Sequence, residues 1–213
     1  MRTIAAIATI VGVLALLATD SIPTSEAAFP GANGRIAFQS DRDGNFDIYV
    51  MDADGGNQTN LSNHSAYDDS PAWSPDGRQI AFASDRDGDF EIFVMNADGT
   101  GLLQLTHNDA GDYDPAWSPD GAKIAFDRAP DILVMNADGS GEVNLTNDSP
   151  DDWDPAWSPD GTTIAFTSRR DNNDEVYVMN ADGSQMQNLT GDPASDSSPN
   201  WSPDGAKIVF QTS

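Results

Sequence analysis

Four aspartates, Asp68, Asp112, Asp152 and Asp196, each stand three residues before a proline. Aromatic residues lie with them: Tyr113 and Trp153 directly after two of the aspartates, and Tyr67 just before another. If the four carboxylates converge, they attract positive charge, because a water-poor mouth of one sign concentrates counter-ions or a basic peptide. Acids mixed with aromatics on one rim also suit a protein-binding or carbohydrate-binding surface. A second reading stands beside this one. An arginine follows a phenylalanine by four residues at Arg42, Arg86 and Arg170, with Arg128 displaced in a shorter segment. Each aspartate can therefore meet an arginine of its own segment as a guanidinium–carboxylate fork, or cap its own turn. The aromatics can likewise pack beneath their own loops.

Other chemistry finds little support. His64 and His107 are the only histidines, no Gly-x-Ser-x-Gly elbow occurs, and cysteine is absent. Hydrolysis by a serine or cysteine nucleophile needs a histidine base beside it, so no catalytic residue is expected. The acidic loops Asp41-Arg42-Asp43-Gly44 and Asp85 to Asp89 suggest calcium at first glance. Their glycine falls fourth, not sixth as in the helix-flanked calcium loop, so they are hairpin turns. No metal ligand set and no cofactor is expected.

The elements that must position these residues repeat. Trp73, Trp117, Trp157 and Trp201 recur with spacings of 44, 40 and 44 residues. Around each runs Trp-Ser-Pro-Asp-Gly, then Ile-Ala-Phe or Ile-Val-Phe. In the complete units Met-Asn-Ala-Asp-Gly and a final Leu-Thr or related pair follow. Proline then glycine in Ser-Pro-Asp-Gly marks a turn, as does Asn-Ala-Asp-Gly. The short apolar runs between the turns are strands covered on both faces. Four strands in about 44 residues predict an all-β fold, a β-propeller of four-stranded blades. The repeat units fall at about 29–69, 70–113, 114–153, 154–197 and 198–213. That makes about four blades plus a partial one, and clean ring closure does not follow. An open arc, or a truncated form of a longer protein, is expected, with an unfinished edge able to self-associate.

Before the repeats, residues 1–27 have the layout of a signal peptide: Arg2, an apolar run from Ile4 to Ala18, and Ser25-Glu26-Ala27 before Ala28. The run is short for a membrane span. Residues 28–213 are thus expected to be periplasmic or secreted, without membrane insertion. Losing Arg2, Asp20 and Glu26 takes the formal charge from −25 to −24, a surface that repels nucleic acid and serves solubility.

The units Trp-Ser-Pro-Asp-Gly-x-x-Ile-Ala-Phe, Ser-Asp-Arg-Asp-Gly and Val-Met-Asn-Ala-Asp-Gly resemble the TolB-type, WD-like propeller repeat over residues 29–213. That family includes periplasmic and secreted propellers, among them six-bladed TolB, an interaction scaffold of the Tol–Pal envelope system. Similar repeats form the propellers of prolyl-oligopeptidase-type and tricorn-like peptidases. The resemblance implies a non-enzymatic protein-binding scaffold. The alternatives are the propeller part of a peptidase, or an acidic cation-binding or carbohydrate-binding propeller. The candidate binding rim is Asp68, Asp112, Tyr113, Asp152, Trp153 and Asp196. Trp73, Trp117, Trp157, Trp201, Arg42, Arg86 and Arg170 are the structural repeat residues. The α/β domain that precedes the TolB propeller is not expected here, because the repeats start almost at the expected cleavage site.

Overall fold

The computed structural model describes residues 34–147, 150–191 and 193–213. The expected leader and its cleavage point lie outside them. The described residues form only strands, turns and bends, arranged as five antiparallel sheets in chain order. The first holds β1 (Arg35–Ser40), β2 (Asp47–Asp52) and β3 (Thr59–Asn60). Three sheets are four-stranded. They contain β4 (Asp68–Trp73), β5 (Gln79–Ser84), β6 (Glu91–Asn96) and β7 (Leu103–Gln104); then β8 (Asp112–Trp117), β9 (Lys123–Arg128), β10 (Asp131–Asn136) and β11 (Val143–Asn144); then β12 (Asp152–Trp157), β13 (Thr163–Ser168), β14 (Glu175–Asn180) and β15 (Gln187–Asn188). The fifth pairs β16 (Asp196–Trp201) with β17 (Ile208–Thr212). Each sheet packs on its neighbours in sequence, so the blades form an open arc with the first and fifth sheets at its ends.

Two strands have bounds that the repeat pattern does not mark. The fourth strand of each blade is only two residues long, because its apolar residues beyond the pairing turn down onto the seam, as Leu105 does. The first strand starts earlier than its apolar residues suggest. Asp68, Asp112, Asp152 and Asp196 are its first residues, not part of the preceding loop, because each pairs across the ladder, as Asp68 does with Ser84. Each also donates its backbone N–H to the preceding blade, Asp68 to Phe46 O at 2.9 Å and Asp112 to Phe90 O at 2.7 Å.

One seam recurs three times. The third strand of one blade offers Ile48 and Val50, Ile92 and Val94, or Ile132 and Val134. The next blade answers with Ile and Phe of its second strand and an aromatic or Leu with Met of its third. Those sets are Ile80, Phe82, Phe93 and Met95; Ile124, Phe126, Leu133 and Met135; and Ile164, Phe166, Tyr177 and Met179. All are buried, which explains the unbroken apolar runs. The turns seal the same seams. Gly99 and Gly139 take positive φ, and a Cβ there would lie 2.9 and 2.8 Å from the carbonyls of Leu61 and Leu105 in the preceding blade. The Trp157 and Trp201 indoles donate to Ala116 O and Ala156 O, both at 3.2 Å.

Candidate functional site

Each innermost strand carries a β-bulge after its second residue, which lets it re-aim one side chain. The bulged residues Ser70, Asp114, Asp154 and Ser198 all take the left-handed conformation, with φ between 48° and 54°. Non-glycine residues occupy that region at a cost and are concentrated where function or packing demands it. All four line one groove of about 460 Å³ along the inner strands, floored by the prolines and tryptophans that follow them.

Inside this groove the side chains form an arc of hydrogen bonds. Ser70 Oγ donates to Asp114 Oδ1 at 2.5 Å and Ser198 Oγ to Asp154 Oδ2 at 2.8 Å. Asp127, on β9, lies between the two aspartates and is buried. At the equivalent place the other blades put Gln39, Ala83, Thr167 and Gln211. Gln39 and Thr167 accept the backbone N–H of the next bulge, Ser70 and Ser198 respectively. Asp127 does the same for Asp154, while among the described residues its Oδ1 has no hydrogen-bond partner. Burial, followed by the repulsion of Asp114 and Asp154, pushes the Asp127 carboxyl up to about 8. Burial also raises Asp114, against the hydrogen bond from Ser70. Asp127 is thus a crowded, buried carboxyl that holds its proton near neutrality. Among the described residues no three His, Cys, Asp or Glu side chains are grouped to hold a metal ion.

The rim residues singled out from sequence are placed differently. Asp68, Asp112 and Asp152 are buried and each meets its arginine: Arg86 Nη2 reaches Asp68 at 2.9 Å, and Arg170 Nη2 reaches Asp152 at 2.9 Å. Arg128 forks onto Asp112 at 2.6 and 2.9 Å and also binds Glu142. In the short third copy Arg128 holds the ladder position that Ser84 and Ser168 hold elsewhere, and reaches the same carboxylate from there. The arginines lie over blade aromatics, as Arg86 does 4.7 Å from the Phe93 ring and Arg170 4.8 Å from Tyr177. Arg42 lies the same way over Tyr49. Asp196 is buried, and among the described residues neither of its oxygens has a hydrogen-bond partner.

The aromatics do reach the surface. Phe46, Tyr67, Phe90 and Tyr113 form a ladder across the first three blades, with ring centroids 4.7, 5.9 and 4.8 Å apart. Tyr67 and Tyr113 are more than a third exposed. Gly111 admits the Tyr113 ring, since a Cβ there would fall 2.6 Å from it. Trp153 lies apart, under Arg169 at 5.1 Å. Sequence reasoning missed Phe46 and Phe90, although a phenylalanine directly before the third strand in two copies was a usable signal. It also missed the bulge residues and Asp127.

The serines of Trp-Ser-Pro-Asp-Gly are turn residues. Ser74 Oγ donates to Asp76 at 2.7 Å and accepts the Gln79 N–H, and Ser118 and Ser158 repeat the arrangement. His64 Nδ1 accepts the Ala66 N–H within its own loop.

A model of the TolB beta propeller domain matches residues 18–152 and 113–213. The chain belongs to the TolB β-propeller family. A TolB from Agrobacterium tumefaciens superposes with a TM-score of 0.75 at 27% identity, over 87% of this chain and 72% of that one. TolB from Acinetobacter baumannii gives 0.74 at 25%, over 91% of this chain and 51% of its own, so the present chain spans about half that TolB. Oligogalacturonate lyase from Vibrio parahaemolyticus gives 0.66 at 13% identity, covering 84% of this chain and 56% of the lyase, and shares the fold alone. No curated protein sequence matches the chain.

Proposed function

We propose that this TolB-family propeller is an exported, non-enzymatic scaffold that docks a protein partner on its aromatic loop face. The observation that carries the reading is the ladder Phe46–Tyr67–Phe90–Tyr113, apolar rings held in register on one rim and flanked by acid. Aromatic anchors of this kind dominate the energetics of protein interfaces, and the surrounding negative charge favours a basic partner. The buried Asp–Arg pairs brace the strands that enter this face. The leader-like residues 1–27 support delivery to the periplasm or the medium.

The test compares the wild-type chain with Tyr67→Ser/Tyr113→Ser by cross-linking on intact envelopes and mass spectrometry. The proposal expects one or a few polypeptides cross-linked to the wild type and lost from the variant, with circular dichroism and melting temperature unchanged. Equal recovery with both chains would sink it. N-terminal sequencing of the exported protein checks for a start at Ala28.

A second reading rests on the acidic groove of Asp114, Asp127 and Asp154, which suits a hydroxyl-rich carbohydrate. Calorimetry with neutral and basic oligosaccharides tests it. Absence of heat and of any thermal shift dismisses it.

A further inference from the structure

The groove along the inner strands carries more acid than its backbone demands. Ser70 and Ser198 hold the same left-handed bulge as Asp114 and Asp154, with φ of 51° and 54° against 48° and 54°. A hydroxyl therefore suffices at that slot. Gln39 and Thr167 accept the N–H of the next bulge as Asp127 does, and neither is charged. Three carboxyls nonetheless stand at these positions, Asp114 on β8, Asp127 on β9 and Asp154 on β12. They repel one another, and burial adds to the cost of ionising them. Carboxylates so placed destabilise the fold unless a donor or a cation answers them.

The chain itself supplies little of that answer. Ser70 and Ser198 each donate to one oxygen of one aspartate. Asp127 is 7% exposed, and among the described residues its Oδ1 has no hydrogen-bond partner. Arg128 is the next residue along, but Asp112 and Glu142 hold it. The groove, about 460 Å³ in volume, runs past Asp114 and Asp154, with Pro115, Ala116, Pro155 and Ala156 beside them.

We propose that Asp114, Asp127 and Asp154 form a guanidinium site, which takes an arginine side chain or a free alkylguanidine into the groove. The planar guanidinium spreads five N–H donors over a rigid fork, so it answers carboxylates that share no common point. A metal ion needs such a point, and among the described residues no three acids provide one. A primary ammonium also gathers its donors on one atom, and a neutral sugar brings donors without charge. Arg128 displays the required mode in the same sheet: it forks onto Asp112 at 2.6 and 2.9 Å and also reaches Glu142. In the groove, Asp127 Oδ1 accepts one N–H, Asp114 and Asp154 accept others, and the alanines and prolines lie along the alkyl stem. The negative charge of the whole chain draws the cation in. The titratable groups that face Asp127 are Asp114 and Tyr113 of β8 and Asp154 of β12, while Ile132 is its partner on β10. Acid therefore surrounds it, and the bound cation takes the place of its proton.

Calorimetry on the full chain tests the site with butylguanidinium, butylammonium, calcium chloride and the peptide acetyl-Gly-Arg-Gly-amide. Both guanidinium probes should bind, butylammonium at least tenfold more weakly, and calcium not at all. A peptide tighter than butylguanidinium assigns the site to a partner's arginine, and the reverse order assigns it to a free guanidine. Because the guanidinium displaces the Asp127 proton, affinity should rise about tenfold from pH 6 to pH 7 and level off above about pH 8. Asp114→Ser/Asp154→Ser copies the bulges of the neighbouring blades and should lose binding without losing thermal stability. Asp127→Asn should weaken binding at least tenfold and remove the pH dependence. No heat with either guanidinium probe, equal affinity for butylammonium, or unchanged binding in both variants overturns the proposal. The butylguanidinium titration contains no protein partner, so it reads this site independently of the aromatic ladder.

Discussion

At the scale of single residues, Asp127 is where this chain departs from its own repeat. Four equivalents are uncharged, whereas Asp127 faces Asp114 and Asp154 with a carboxyl pushed up to about 8. An unfolded aspartate titrates near 4. Between those values the folded chain binds the extra proton, so stability is full below about pH 4 and is lost as pH rises toward 8. Asp127→Asn keeps the uncharged form and should flatten the fall in melting temperature between pH 5 and pH 8. A residual slope will remain from Glu91, pushed up to about 7 chiefly by burial. A variant as steep as wild type would count against this assignment. The paired aspartates Asp68, Asp112 and Asp152 hold arginines instead. Asp152→Ala strips Arg170 of its buried carboxylate, and breaking such a pair costs about 3–5 kcal/mol. Denaturant midpoints should show that loss.

At the scale of the strand and the blade, identical repeat residues have unequal worth. Phe126 is fully buried between two blades, so Phe126→Ala should cost about 3–5 kcal/mol. Phe210 occupies the same repeat position in β17 but remains 40% exposed, and Phe210→Ala should cost under about 1 kcal/mol by the lower area buried. Amide exchange should follow the same gradient, with β17 and β1 exchanging well before β9 and β10, since stability in repeat arrays is lost from the ends. The repeat made much of this legible in advance. The tryptophan beat located the blades, and Ser-Pro-Asp-Gly located the turns with their serines. The recurring arginine carried the ion-pair reading, even for Arg128. The bulge was not legible, because a positive φ at Ser70 or Asp114 arises from the fit of one strand against the next and leaves no mark in residue type. The depth of Asp68, Asp112 and Asp152 was hidden for a similar reason. Their type suggests the surface, and only the seam with the preceding blade shows that they begin a strand.

At the scale of the whole molecule, charge and curvature dominate. A formal −25, or −24 from residue 28, has few basic residues to offset it. Such a chain repels itself at low ionic strength, and added salt screens it. Raising sodium chloride from 20 to 300 mM should therefore raise the melting temperature; a fall would mean that the buried Asp–Arg pairs outweigh the surface repulsion. The blade order and the arc followed from the period alone.

The bulge in each innermost strand separates two tasks that most folds entangle. Its side chain is turned out of the apolar seam and into the groove, where it meets the neighbouring blade by hydrogen bonds and not by apolar packing. The chain already writes Ser, Asp, Asp and Ser into those four slots. The lining can thus be rewritten slot by slot, one substitution per blade, to seat a different guest on an unchanged frame.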